Sequence, residues 1–176
     1  RTGAPGVTLR LRLPARLPPD GSALLRNADR RMRALRSVQY AESLTAGLGS
    51  SVRTRYAMQA PDRLSFRTSQ GQRTILIGDR RWDLEGTRWV ESPIPAVRVP
   101  SYVWEGSRNA RLLGRTRVAG IPVSVLAAFD RSIPAWFRIF VARDGRVVEA
   151  EMLSQGHFMR HRFFGLNEPI EIEAPA

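Results

Sequence analysis

At 176 residues with ordinary aliphatic and aromatic content, the chain can form one domain with a real core. It holds no cysteine, which excludes disulfides without deciding the compartment. All 28 basic residues are arginine against 16 acids, and the formal charge of +12 favours polyanions such as an anionic bilayer surface or nucleic acid. The arginines alternate with apolar residues along segment after segment. They read as the solvated face of a sheet rather than a phosphate-binding surface, and nucleic acid is not expected as a partner. No uncharged run approaches the roughly 18–20 residues needed to span a bilayer. The longest is Val118 to Phe129.

Residues 1–21 read as a tail, a strand and a connector. Val7, Leu9, Leu11 and Leu13 alternate with Thr8, Arg10 and Arg12, and Pro14, Pro18 and Pro19 end the strand. A single domain is expected over residues 22–176. Ser22 is the expected N-cap of a helix over residues 23–36, whose apolar stripe is Leu24, Leu25, Ala28, Met32 and Leu35. Ser37 to Thr45 reads as a strand, and Gly47 to Ser51 as a turn.

From Val52 to Val90 the chain reads as five short strands, with one greasy face and one arginine face. Turns fall at Pro61-Asp62, Gln70-Gly71, Gly78-Asp79 and Gly86-Thr87. From Glu91 to Gly106, Pro93, Pro95 and Pro100 forbid a regular ladder. Ile94, Val97, Val99, Tyr102, Val103 and Trp104 are nonetheless too apolar for a solvated loop, so this segment packs on something or forms a lid. Further strands are expected around Ala110–Val118, Val123–Phe129, Trp136–Val141, Val147–Leu153 and His157–Phe164.

The expected fold class is α+β, with about eleven antiparallel strands in a strongly curved half-barrel sheet around one helix and a proline-rich lid. A flat sheet of that size would be about 50 Å across, whereas a fourteen-residue helix is about 21 Å long. One helix cannot cover the greasy face. What it leaves bare is a place for a hydrophobic ligand.

Three local patterns resemble the half-barrel LolA-like lipoprotein carriers and the mycobacterial lipoproteins of the LppX/LprG type. Arg31 to Val38 is similar to their helix-to-strand junction. Tyr56 to Leu64 is similar to a strand-turn-strand with a Pro-Asp-Arg corner. Phe164 to Ile170 is similar to their closing segment. Gly156-His157-Phe158-Met159 also resembles soluble domains fused behind actinobacterial CopD-like copper-resistance membrane proteins. The resemblance spans roughly residues 22–174. It implies an extracytoplasmic location, periplasmic or on the outer face of the cytoplasmic membrane, a concave cavity and no catalysis. The lipidated N-terminal cysteine of the mycobacterial lipoproteins has no counterpart here. Since the chain opens on Arg1-Thr2-Gly3, it reads as part of a longer, membrane-tethered precursor whose membrane domain would be a partner.

Candidates for the cavity lining are Tyr56, Met58, Phe66, Trp82, Val97, Tyr102 and Trp104, with a lipid, an acyl chain or a lipoprotein moiety as ligand. They could equally be plain core. His157, Met159 and His161 fall on one face of one strand and suit copper, with Met58 or Met152 as a further donor. Alternatively, Met159 packs and the two histidines make ordinary hydrogen bonds. No nucleophile elbow, P-loop, zincin or dinucleotide signature is present, so an enzyme is not expected. The expectation is a binding domain for a hydrophobic ligand. Its alternatives are a copper-binding module, and an interaction domain gripping an anionic membrane or acidic partner through its arginines.

Overall fold

Helix α1 spans Ser22–Arg33 and buries Leu25, Ala28 and Met32 on the expected stripe. In this computed structural model, which describes residues 16–46 and 51–176, it is one turn shorter than the stripe suggests. The strand expected over Val7–Leu13 and the turn residues 47–50 lie outside the described residues. The shortfall has a local cause. The Leu35 amide turns to the Met32 carbonyl rather than continuing the helical ladder, yet Leu35 stays buried. Its burial extends the stripe past the last helical residue.

Ser22 does not cap the helix. Gly21 occupies the cap position without a side-chain bond, and Asp20 Oδ1 accepts from the Ser22 amide at 3.0 Å and its hydroxyl at 2.6 Å. Glycine suits position 21, where a Cβ would lie 2.6 Å from Leu126 Cδ2 and 3.2 Å from the Arg111–Leu112 peptide. Arg30, Arg31 and Arg33 in the last turn complement the helix dipole.

Eleven strands follow: β1 (Ser37–Thr45), β2 (Ser51–Gln59), β3 (Arg63–Thr68), β4 (Arg73–Ile77), β5 (Arg80–Glu85), β6 (Arg88–Pro93), β7 (Arg108–Val118), β8 (Ile121–Asp130), β9 (Ala135–Ala142), β10 (Val147–Ser154) and β11 (His157–Phe164). They form one sheet in the order β6-β5-β4-β3-β2-β1-β11-β10-β9-β8-β7. Two meanders, β1–β6 and β7–β11, are thus fused through the antiparallel β1/β11 pair. Edges β6 and β7 do not pair, so the sheet is an open half-barrel. Edge β7 is partly blunted: the Gly21 amide donates to the Ala110 carbonyl and the Leu112 amide to the Pro19 carbonyl, both at 2.8 Å.

The core lies between α1, the irregular segment 94–107 and the face of the sheet we call inner. Val38, Tyr40, Met58, Leu126, Phe137, Ile139 and Phe163 face Leu25, Ala28, Met32 and Leu35 there. Segment 94–107 is anchored at both ends. Ile94, Val97 and Val99 amides donate to the carbonyls of Asp79, Gly78 and Pro61. Tyr102 donates its hydroxyl to the Met32 carbonyl at 3.1 Å. Trp104 is 0% exposed. It stacks on Tyr102 with centroids 4.8 Å apart and donates Nε1–H to Asp29 Oδ1 at 3.0 Å.

Two outcomes follow from this junction. Trp104→Ala removes the largest fully buried side chain and should lower stability by about 3–5 kcal/mol, read from denaturant midpoints. Burial raises the Asp29 carboxyl above its ordinary 3.8, with the Trp104 hydrogen bond opposing it. The native state therefore holds this proton more tightly than the unfolded chain. Relative to Asp29→Asn, wild-type stability should fall as pH rises from 3.8 through the raised native value and then level off, which urea midpoints against pH will show.

Candidate functional site

Strand register defines two faces. Tyr40 stands opposite Tyr56 and Phe163, and Tyr56 opposite Phe66, all on the inner face. Tyr40 and Tyr56 are stacked with centroids 4.6 Å apart, and Phe66 tilts against Tyr56 at 5.4 Å. This aromatic row runs from the covered half of the sheet out onto β2 and β3. The next row, Val38–Met58–Leu64–Leu76, parallels it. Burial falls along both: Tyr40 and Met58 are buried, whereas Tyr56, Leu64, Phe66 and Leu76 are half-buried.

A polar cluster bounds this apolar surface on β4 and β5. Thr74 donates its hydroxyl to Asp83 Oδ1 at 2.6 Å, and Arg81 donates to both Asp83 oxygens. The Arg81 hydrogen bonds hold the Asp83 carboxyl below its usual range. Beyond β3 the greasy and arginine faces mix, Leu76 staying inner and Arg73 and Arg80 outer. Ile75, Trp82, Leu84 and Trp89 lie on the outer face, while Arg81 and Asp83 lie on the inner one. The alternation within each strand is visible in the sequence; its phase across a turn is not, because one residue of register moves a whole strand's side chains to the other face.

The seven lining candidates are therefore divided. Met58, Tyr102 and Trp104 are packed in the core. Tyr56 and Phe66 sit side by side at the half-covered part of the inner face, and Val97 is half-buried in the overlying segment. Trp82 is on the opposite face, across from Ile75 and Glu91, with its Nε1–H on Glu91 Oε2 at 3.2 Å.

His157, Met159 and His161 share the inner face, as period two requires. Their surroundings differ. His161 is buried, with Nε2 2.8 Å from Glu42 Oε2, and its ring leans on Tyr40 at 4.8 Å. Tyr56 donates its hydroxyl to the other Glu42 oxygen at 3.4 Å. Burial, and then the Glu42 charge, pushes the Tyr56 phenol up to about 12, so it remains a donor. Met159 pairs with Leu44 and Met152. His157 is exposed, with Nδ1 3.3 Å from the Gln155 carbonyl. Among the described residues no group of three or more His, Asp or Glu side chains is placed to hold a metal ion.

Glu42, the partner of both His161 and Tyr56, was absent from the sequence candidates. A single carboxylate on the apolar face of β1 was the available signal.

The outer face carries two adjoining hollows, of about 600 Å³ and about 680 Å³, with Ser43 and Arg160 common to both. The first is walled by Trp136, Leu153 and Phe158, the second by Arg53, Arg55 and Arg67. Between them Glu151 accepts from Arg138 at 2.7 Å and Arg160 at 2.8 Å. Burial lifts the Glu151 carboxyl, but these two bonds outweigh it and leave it below its ordinary value.

No protein-family model and no curated protein matches the chain. Among solved structures, lipoprotein LppX of Mycobacterium tuberculosis superposes with a TM-score of 0.62 at 14% identity, over 86% of this chain and 97% of that one. LprF from Mycobacterium bovis gives 0.64 at 10% identity, over 91% and 99% of the two chains. MucB gives 0.54 at 22% identity, over 89% of this chain and 63% of its own. At these identities the likeness is one of fold.

The buried Glu42–His161 contact yields a stability test. His161→Ala leaves Glu42 with Tyr56 as its remaining side-chain partner and should cost about 1–3 kcal/mol. A double-mutant cycle with Glu42→Gln should return a coupling of about 0.5–3 kcal/mol; independent effects would mean the contact contributes nothing.

Proposed function

We propose that this chain, with its LppX-type half-barrel fold, is a non-enzymatic extracytoplasmic binding domain that holds an acyl chain or similar apolar group against the inner face. One observation carries the reading: α1 is too short for the sheet it covers. At twelve residues it is about 18 Å long. Tyr56, Leu64, Phe66 and Leu76 are left half-buried between the packed core and the Thr74–Asp83–Arg81 cluster. Each fully buried side chain of this kind is worth about 1.5–3 kcal/mol, so an apolar ligand completing their cover would gain substantially.

The irregular segment 94–107 is the element that would give way. Its first half is held by three main-chain hydrogen bonds from Ile94, Val97 and Val99. Its second half is locked by Tyr102 and Trp104 to α1. Movement of residues 94–101 about the fixed Tyr102–Trp104 anchor would open the Tyr56–Phe66 row, withdrawing Val99 from the core while the Tyr102–Trp104 packing stays in place. Likeness in fold to a protein named as a lipoprotein supports the extracytoplasmic reading.

Native mass spectrometry of gently purified protein should show a co-purified lipid, and a dansylated fatty acid should bind with blue-shifted emission. Phe66→Glu should weaken that binding at least tenfold, because it puts a charge in the apolar row, while circular dichroism stays unchanged. A bare mass together with no fatty-acid uptake would overturn the reading.

A further inference from the structure

The outer face of β8–β11 displays apolar groups where a sheet with its core on the other side has no packing need for them. Phe129, Trp136, Leu153 and Phe158 stand directly opposite one another across four strands. Trp136, Leu153 and Phe158 are 57%, 47% and 58% exposed. Ile133, in the turn just before Trp136, is exposed as well. Scattered exposed hydrophobics need no explanation, but a contiguous row does.

Two register steps along the strands, about 6.6 Å away, the row becomes Arg138, Glu151, Arg160, Ser43 and Arg53. Two further steps give Arg162, Ala41, Arg55, Arg67 and Arg73. Arg138 and Arg160 share Glu151, and Arg162 pairs with Glu149. Among the described residues, Arg53, Arg55, Arg67 and Arg73 have no carboxylate within ion-pair distance. Arg55, Arg67 and Arg73 also stand directly opposite one another on β2, β3 and β4. Like charges in that arrangement destabilise a sheet. Small residues, Ala41 and Ser43, floor the trough between these arginines and those of β11. The arginine hollow and the apolar hollow meet at Ser43 and Arg160.

We propose that this outer face docks the protein on an anionic phospholipid bilayer. The Trp136–Leu153–Phe158 row dips into the boundary between headgroups and acyl chains, and the arginines without a carboxylate partner, two of them over the Phe164 and Trp89 rings, lie against the lipid phosphates. The spacing suits that depth. Interfacial side chains bury about 5–10 Å into the boundary; with the strands steep to the bilayer and this row lowermost, the arginine rows, about 6.6 Å and about 13 Å away along the strands, stand above it. Tryptophan and arginine are the side chains that favour this interface. An acidic soluble partner would answer the arginines but not the exposed aromatic row beside them. The inference is independent of the inner-face reading, since it uses no residue of that cleft.

The test is co-sedimentation of the whole chain with vesicles of phosphatidylcholine alone, or with about one third phosphatidylglycerol, at low and high salt. Binding is expected on the anionic vesicles and to weaken at high salt. At roughly fivefold per arginine, Arg53→Gln, Arg55→Gln and Arg67→Gln together should lose about a hundredfold in affinity. Trp136→Ser with Phe158→Ser should lose at least tenfold, and the blue shift in tryptophan emission on binding should vanish in Trp136→Phe. All these variants should keep the thermal unfolding and fatty-acid uptake of the parent, and Phe66→Glu should keep vesicle binding, so the two readings fail separately. Equal binding to neutral vesicles, no binding at low salt, or unchanged binding by the triple arginine variant would overturn the proposal. Pelleting with Trp136 still fully quenched by aqueous acrylamide would do the same.

Discussion

The meeting of Trp104, α1 and the sheet governs the rest of the molecule. A sheet of eleven strands has a large inner face, and a twelve-residue helix supplies only a narrow stripe to cover it. The proline-rich segment makes up part of the deficit by driving Trp104 and Tyr102 under the helix. It can do so because its prolines keep it out of the sheet, while its aromatic residues supply buried area with polar tips that find partners. Cover is fullest over Val38, Tyr40, Phe137, Ile139 and Phe163, and thins over β2–β4 and toward the exposed His157 on β11. The uneven burial of Tyr40, Tyr56 and Phe66 along one continuous row records that limit.

Polar groups on the inner face follow the same logic. Half-buried Glu42 takes up buried His161 on one oxygen and the Tyr56 hydroxyl on the other, so the carboxylate is satisfied in a low-dielectric setting. Thr74, Asp83 and Arg81 satisfy one another where the apolar surface ends. These two clusters frame the half-covered patch. They give it a defined edge rather than letting it grade into solvent.

Most of the architecture was legible in the chain itself. The strand breaks at Pro61, Gly71, Gly78 and Gly86 needed only turn chemistry, and the five strands expected over Val52 to Val90 are present as β2–β6, over Ser51 to Pro93. Leu25, Ala28 and Met32 identified the buried side of the helix. The stretch expected to be irregular, Glu91 to Gly106, is so from Ile94 on, as its prolines required, but β6 runs on through Glu91 to Pro93. The cap at Gly21 rather than Ser22, and the early helix end before Leu35, are local bonding choices that periodicity does not resolve.

Sequence alone determined the period of each strand and the amphipathic helix, because both rest on spacing within a few residues. It also determined the charge, and with it the presence of an arginine-rich face. Tertiary structure decided which face each strand turned inward, sending Trp82 outward and Arg81 inward. It also brought Glu42 to His161, 119 residues apart, and set Arg55, Arg67 and Arg73 side by side. Those outcomes depend on register between strands, and register is fixed by the sum of turn geometry and core packing rather than by any one stretch of chain.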